Sequence, residues 1–549
     1  ADEQGYFPFR FGSTGQEYGK AITVDGDGNL IVAALYNLGV DADPSTGGTF
    51  TVTSSGGTDV ILAKYTPHGS LLWAKSMGGG GAPPSVDAPH AVATDSSNRV
   101  MVAGYFGSAS AHGRTSDFDP GPGTSLLTAL SGYDVFLAQY DQDGTYRWAL
   151  GLGDTNLTFG EERAWDLAVD EEDHIYLTGA FGGTVNVNPR FPSPRWITNA
   201  GTASGLFLAR YAPDGSNVWA IGLGANLTNV FTEGYCTVAL DTNGHCWLAG
   251  NFRGTCDFDP GPGVSNLTSR GQTDIFLARY DRNGTFQAVY QLGGTAQDIV
   301  SPGAMRSDGA QVFLTGRFAG TADFDPGPAV SNLTAVGGMN IFMASYNATG
   351  ALRWAFNLPT SGGAASGQGG HRVALDPSGN CWVAGWSGGT TDFDPHPSFA
   401  SNLVAHSTNA ADVFLAKYTS AGALLWAHGF GSANPGVGEN NITAGLALDA
   451  AGQAYITGQF YGPDRRPHQR RAERRLRCEI PCRRIAIAGL PAAGGRPVPG
   501  RLRADEPPVV RAAGSLLHLA VQPPALSGQL DIRIQRLSGL GWLCNQCPY

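Results

Sequence analysis

Four near-identical hexapeptides, DFDPGP at 117–122, 257–262 and 323–328 and DFDPHP at 392–397, place two carboxylates at positions i and i+2. In extended backbone such side chains point the same way, so Asp117 with Asp119, Asp257 with Asp259, Asp323 with Asp325 and Asp392 with Asp394 could each offer oxygens to one hard cation such as Ca2+. The same residues also make turns. Asp accepts main-chain N–H groups, Pro presets φ, and Gly permits positive φ. Looser copies stand at Asp41-Ala42-Asp43-Pro44 and Asn186-Val187-Asn188-Pro189, and the second keeps the turn chemistry without the charge. Two carboxylates also fall well short of the ligand set that calcium takes, so the structural role is favoured over the metal.

Asp25 and Asp27 open Asp25-Gly26-Asp27-Gly28-Asn29, which has the beginning of a calcium loop but carries Tyr36 where the bidentate Glu belongs. Other units keep only the first acid, at Asp95, Asp170, Asp241, Asp376 and Asp449. A hairpin turn is the expectation there. No catalytic constellation stands out. The histidines share no spacing, Glu161-Glu162 and Glu171-Glu172 suit solvated turns, and neither a phosphate loop nor an HExxH helix is found.

The segments that must position these acids are repeats. A pattern of Asp, Asn or Gly, then aliphatic and aromatic residues, Ala, any residue and Tyr recurs with tyrosines at 65, 140, 211, 280, 346 and 418, in steps of 75, 71, 69, 66 and 72 residues. Each copy is a strand followed by a glycine turn such as Asp143-Gly144, and then by a second strand ending in Trp-Ala. Upstream lies another hairpin, clearest in VALDTNGHCWLAGNF at 238–252. The unit is therefore four short antiparallel strands, repeated in a circle.

The composition agrees, with 42% hydrophobic, only 15% charged and 78 glycines. That is a turn-rich all-β chain, and it holds no apolar run long enough for a membrane span. A net charge of −11 argues against nucleic acid. The chain starts at Ala1, which fits removal of a secretory signal. One Trp per unit (Trp73, Trp148, Trp219, Trp354, Trp426, with Ala288 the exception) is expected to pack between sheets, and Phe191, Trp196 and Phe399 break the pattern as candidate ligand contacts. Cys236, Cys246 and Cys256 fall in one unit, where a disulfide would suit an exported protein. Cys544 and Cys547 form a CxxC in the tail, where it reads as an accident of that segment.

Segment 6–12, YFPFRFG, resembles the end of a unit, so the chain begins with a closing fourth strand whose first three come last, as in a ring that leaves no open sheet edge. The expected fold is an all-β, seven-bladed β-propeller of four-stranded antiparallel blades, its last blade incomplete. That blade starts normally at 446–460 and is lost from Gly462, after which 15 arginines and 6 acids reverse the charge. One permitted codon choice for RRLRCEIPCRRIAIAG at 474–489, read from its second base, gives DVFVAKYPAAGSLLLG, the missing copy of the repeat. The expected organisation is thus a propeller over 1–461 and a frame-shifted, largely unstructured tail over 462–549.

LALDAAGQAYITG in the last unit and DVFLAKYTSAGALLWA before it resemble the bacterial SBBP-type β-propeller repeat, found in large secreted and surface proteins. The resemblance spans 6–461 and implies fold more than activity. The expected role is a non-catalytic scaffold, secreted or at a bacterial cell surface, that binds glycan or surface protein through its variable links. A self-assembling structural subunit and a polysaccharide-acting enzyme with a site in the central channel are the alternatives.

Overall fold

The computed structural model describes residues 9–11, 17–45, 47–80, 85–109, 112–130, 132–154, 162–199, 204–224, 235–242, 244–361, 368–405, 411–431, 442–460, 484–490, 519–521 and 532–534. Every regular element among them is a β-strand. The repeat builds the expected four-stranded antiparallel sheet, as in Ala88–Thr94, Val100–Gly107, Tyr133–Tyr140 and Tyr146–Leu152, paired in that order. The third strand is buried along its whole length in units such as Asp412–Tyr418 and Gly205–Tyr211. It is covered on both faces, which explains why its residues form a continuous apolar run. The hairpin to the fourth strand is a turn closed by Gly144 N–H on the Asp141 carbonyl at 2.9 Å, with Gly144 at φ 80° as the Asp-Gly pair requires.

Seven sheets share this four-strand core. Their first strands are Glu17–Val24, Ala88–Thr94, Arg163–Val169, Cys236–Leu240, Asp298–Ser307, Gly369–Leu375 and Ile442–Leu448. Each touches the first strand of the next sheet, and Glu17–Val24 also touches Ile442–Leu448. The hydrophobic cores lie between sheets rather than within one. One unites Ile31, Val60 and Leu62 with Val102, Phe118 and Phe136 of the following sheet, and another joins Leu30 and Val32 to Ala447 and Tyr455. Face-to-face packing of radially arranged sheets is a propeller-type fold.

Sheet seven has the order Phe9–Phe11, Arg484–Leu490, Ala454–Phe460, Ile442–Leu448. The N-terminal segment thus supplies a fourth strand, with Phe9 opposite Ile487 and Phe11 opposite Ile485. Past Tyr461 the described residues are three strands, the first of which takes the third place in this sheet. Cys544, Cys547 and the rest of the tail lie outside the described residues, as do Tyr6 and Gly12. The expected disulfide does not form, since Cys236, Cys246, Cys256 and Cys381 are free, buried thiols. Cys236 instead meets the Thr178 hydroxyl at 3.1 Å.

Four of the fourth-strand tryptophans reach the hairpin of the next sheet. Trp73 Nε1 donates to the Gln142 carbonyl at 3.0 Å, Trp148 to Pro213 at 3.2 Å, Trp219 to Arg282 at 2.9 Å and Trp354 to Ser420 at 3.1 Å. The hairpin glycine lies flat on that ring, and a Cβ on Gly284 would come within 2.9 Å of Trp219. Where Ala288 replaces the Trp, Tyr290 on the same strand donates to the Thr349 carbonyl at 2.5 Å.

The recurrent tyrosine is the other fixed contact. In five of the six copies its hydroxyl donates to the middle carbonyl of the Asp-x-Asp link, from Tyr140 to Phe118 at 2.9 Å, Tyr280 to Phe258 at 2.9 Å, Tyr346 to Phe324 at 3.1 Å, Tyr418 to Phe393 at 2.9 Å and Tyr65 to Ala42 at 3.0 Å. Removing the hydroxyl orphans a buried carbonyl. Tyr280→Phe is expected to lower stability by about 1 kcal/mol, and Tyr280→Ala, which also opens a cavity, by about 3–5 kcal/mol; chemical denaturation midpoints measure both.

Candidate functional site

The Asp-x-Asp links fold into small two-stranded flaps, such as Thr255–Asp257 paired with Asn266–Thr268. In each flap the first acid closes the loop on main-chain amides. Asp257 Oδ1 accepts from the N–H of Asp259 at 3.1 Å and of Ser265 at 2.7 Å. Asp117, Asp323 and Asp392 repeat this with Ser125, Ser331 and Ser401, and Asp41 with Phe50. The second acids, Asp119, Asp259, Asp325 and Asp394, accept from the N–H two residues on at 2.8–2.9 Å. Asn186 accepts from Asn188 and Arg195 in the same way with no charge. The residue between the acids, Phe118, Phe258, Phe324 or Phe393, is fully buried and anchors the flap.

Asp25 caps its hairpin. Its Oδ1 accepts from Asp27 N–H at 3.0 Å and Asn29 N–H at 2.7 Å, and its Oδ2 meets Lys64 Nζ at 2.7 Å. Burial pushes its carboxyl up, but Lys64 and Asn29 outweigh that and hold it below the usual range. Asp27 accepts from Asn98 of the next sheet at 3.0 Å. Asp376 is the same device with Lys417 at 2.8 Å; the lysine, Asn380 and Trp382 overcome burial and hold it down to about 2.

Sequence reading missed a group where the first strands of the sheets meet. The first strands carry bulges that offset Lys20, His90 and Trp165 from the ladder, and likewise His371. A bulge re-aims a side chain, here toward the neighbouring first strands. Arg372 donates to the carbonyls of Pro302, Ala444 and Lys20, which come from three other sheets. Burial, then Arg372 and Arg163, bring the Lys20 ammonium down to about 8. Burial and then Lys20, with Arg163 and Arg372 adding to them, bring His90 down to about 3, and its Nδ1 lies 2.8 Å from the Ala164 carbonyl. Arg372 itself is brought down to about 10 by burial, against the pull of Asp166. The histidines, which share no spacing in the sequence, thus include two, His90 and His371, among these cations.

Rings border this group. Trp165 stacks on His90 at 4.5 Å and meets Tyr235 edge-on at 4.8 Å. The Arg163 guanidinium lies over Tyr105 at 4.7 Å and Tyr133 at 5.2 Å. Of the aromatics singled out as pattern breakers, Trp196 and Phe399 are exposed on flaps, and Phe191 is half-buried beside Arg190.

The acid doublets differ from expectation. Glu162 is fully buried rather than solvated, because its strand start tucks under the preceding sheet, where its N–H bonds the Tyr133 carbonyl at 2.9 Å. Glu161 lies outside the described residues. Asp170, Glu172 and His174 converge as a metal-sized group, yet Arg210 meets Asp170 at 2.8 Å and Arg282 meets Glu172 at 2.8 Å, so cationic side chains already serve these acids.

No family model matches the chain. In sequence it is similar to an uncharacterized WD repeat-containing protein of Acanthamoeba polyphaga mimivirus, 22% identical over 484 residues, covering 76% of this chain and 34% of that protein. The chain therefore spans about a third of that relative's length. Among solved structures it is similar to a protein of unknown function from Dyadobacter fermentans (TM-score 0.36, 11% identity, 89% of this chain and 98% of that one). A gluconolactonase from Xanthomonas campestris follows (TM-score 0.26, 12% identity, 75% and 98%), as does the phage phi92 endosialidase (TM-score 0.30, 8% identity, 99% and 76%). At such scores the fold rests on the strand pairing above. Among the described residues no helix is long and apolar enough to cross a membrane.

The flap chemistry needs an acceptor, not a charge. Asp257→Asn is expected to change thermal stability by less than about 0.5 kcal/mol, while Asp257→Ala, which strands two amides, costs about 1–2 kcal/mol. Thermal melts of the two variants side by side check this.

Proposed function

We propose that this chain is a non-catalytic binding module on a closed seven-bladed propeller, secreted or held at a cell surface, whose axis receives an anionic group of a glycan. The contact of Glu17–Val24 with Ile442–Leu448, and the core that Leu30 and Val32 share with Ala447 and Tyr455, support closure. The SBBP-like repeat supports export. The observation that carries the binding role is the convergence of Lys20, Arg163 and Arg372 with His90 and His371, against the Asp166 carboxylate. Asp166 is itself engaged by Thr237 Oγ1 at 2.7 Å and Val238 N–H at 3.1 Å.

Cations gathered in a desolvated setting gain by receiving an anion, and Lys20 holds its proton less tightly through burial first and then through Arg372 and Arg163 beside it. Tyr105 and Tyr133 beside Arg163 add flat faces of the kind that sugar rings stack on. An acidic protein segment offers the same charge without the ring, which makes it the second partner to compare.

A glycan array with uronate-bearing, sulfated and neutral glycans tests the reading. Anionic glycans are expected to be retained at low salt and lost as salt rises, with Arg163→Ala weakening retention about tenfold, the size of one lost charge-assisted contact. Equal retention of neutral and anionic glycans, or none of either, would sink it.

A further inference from the structure

Several polar groups where the first strands meet are spent within the protein. Arg372 serves three carbonyls, and Arg306 donates to the Met305 carbonyl at 2.7 Å. Asp166 accepts from Leu167 N–H at 3.0 Å besides its bonds from Thr237 and Val238. Three nitrogens are not spent. Trp165 is 8% exposed, and its indole Nε1 is buried with no hydrogen-bond partner. His371 Nδ1 is buried in the same state. Among the described residues the Lys20 ammonium meets no carboxylate and no acceptor oxygen, only the face of Tyr18 at 5.7 Å.

All three stand at the bulges, where a residue of the first strand is left out of the ladder and its side chain is re-aimed. The equivalent residue of the seventh sheet, between those of Lys20 and His371, is Ala444, which carries only a methyl group. The nitrogens belong to one charge cluster. Burial, then Arg372, Lys20 and Arg317, lower the proton affinity of His371, so the effect of Lys20 reaches past the seventh sheet. Burial, then Lys20, does the same to His90, the ring on which Trp165 stacks. Among the described residues the acid that acts on these groups is Asp166, which opposes the effect of burial on Arg372 while Arg306 adds to it.

We propose that Lys20, Trp165 and His371 together seat one singly charged oxyanion of a sugar, a uronate carboxylate or a sulfate ester, which rests on the glycan-binding reading above and narrows it. A buried N–H without an acceptor costs stability that an incoming oxygen recovers. One ammonium and two neutral ring nitrogens match a single negative charge spread over a few oxygens. A second charge, as on a phosphate ester, would be buried without a cation in contact. The seat is also proton-linked. Burial, then Arg372 and Arg163, bring Lys20 down to about 8, so the seat loses its charge as pH climbs past that value, and an anion that needs charged Lys20 is released. Arginine does not titrate there, so an anion held by Arg163 alone binds equally on both sides of pH 8. Acids at the junctions between sheets do titrate nearby, since burial, then Asp134, pushes Glu162 up to about 8 and burial, then Asp59, pushes Asp87 up to about 7. A Lys20 variant separates them from the seat.

Calorimetric titration of the full chain with glucuronate, a glucose sulfate ester, a glucose phosphate ester and glucose, each at pH 7 and pH 9, tests the seat. The carboxylate, the sulfate ester or both are expected to bind at pH 7 and about tenfold more weakly at pH 9, as the charged fraction of Lys20 falls. The tighter of the two names the source of the anion. Trp165→Phe keeps a ring against His90 and removes only the Nε1–H, and is expected to weaken binding about fivefold. Lys20→Met is expected to remove both the affinity and its pH dependence, with melting curves showing that each variant is folded. Binding that is unchanged at pH 9 and in Trp165→Phe, yet lost in Arg163→Ala, would overturn the seat and leave the glycan-binding reading in place. A phosphate ester bound as tightly as the singly charged sugars would overturn the seat's single charge. No anionic sugar bound at pH 7, together with no retention on the glycan array, would sink the seat and the reading alike.

Discussion

The structure depends on one buried hydrogen bond repeated from sheet to sheet, from the hydroxyl of the third-strand tyrosine to the middle carbonyl of the Asp-x-Asp link. The tyrosine strand is covered on both faces, so its hydroxyl has no water to bond, and the link carbonyl beside a buried phenylalanine has none either. Each satisfies the other. The contact pins the flap to the sheet and leaves the acids on either side to close the flap loop. The repetition of tyrosine and of DFDP down the chain is thus one constraint seen from its two ends.

A second constraint acts between sheets. Tryptophan on a fourth strand reaches the following hairpin, whose glycine combines positive φ with the absence of a Cβ under the ring. The exception at Ala288 supports this, because Tyr290 on the same strand performs the bond that the missing indole would have made. With sheets locked side by side, the bulged first strands crowd at the axis, and residues unremarkable in their own repeats, Lys20, His90, Arg163 and Arg372, become neighbours. The proposed binding role rests on that crowding.

Two populations of acids result, with opposite environments. Asp25 and Asp376 cap hairpins and keep their protons off through lysines from the third strand. Glu162, Asp87 and Asp298 sit at sheet junctions where burial and a second carboxylate favour the protonated form. Charge density in the sequence does not distinguish them. The turn acids are the conspicuous ones because they recur beside Pro and Gly, while those at the junctions lie at strand starts.

The sequence by itself determined the module: tyrosine spacing near 70 residues, Asp-Gly hairpins, the link motif and the position of the N-terminal strand are all local or periodic signals. It also pointed to the flap acids as turn residues, since Asn186 and Asn188 keep the pattern without charge. What only the tertiary structure decided is which residues from different units meet. Glu162 looked like half of a solvated doublet, His90 and His371 like histidines without a shared spacing, and three cysteines of one unit like disulfide candidates. Each depends on burial and on how separate segments of the chain pack. A repeat announces its own fold because every copy restates it, but a site made where copies touch uses each residue once and leaves no periodic trace.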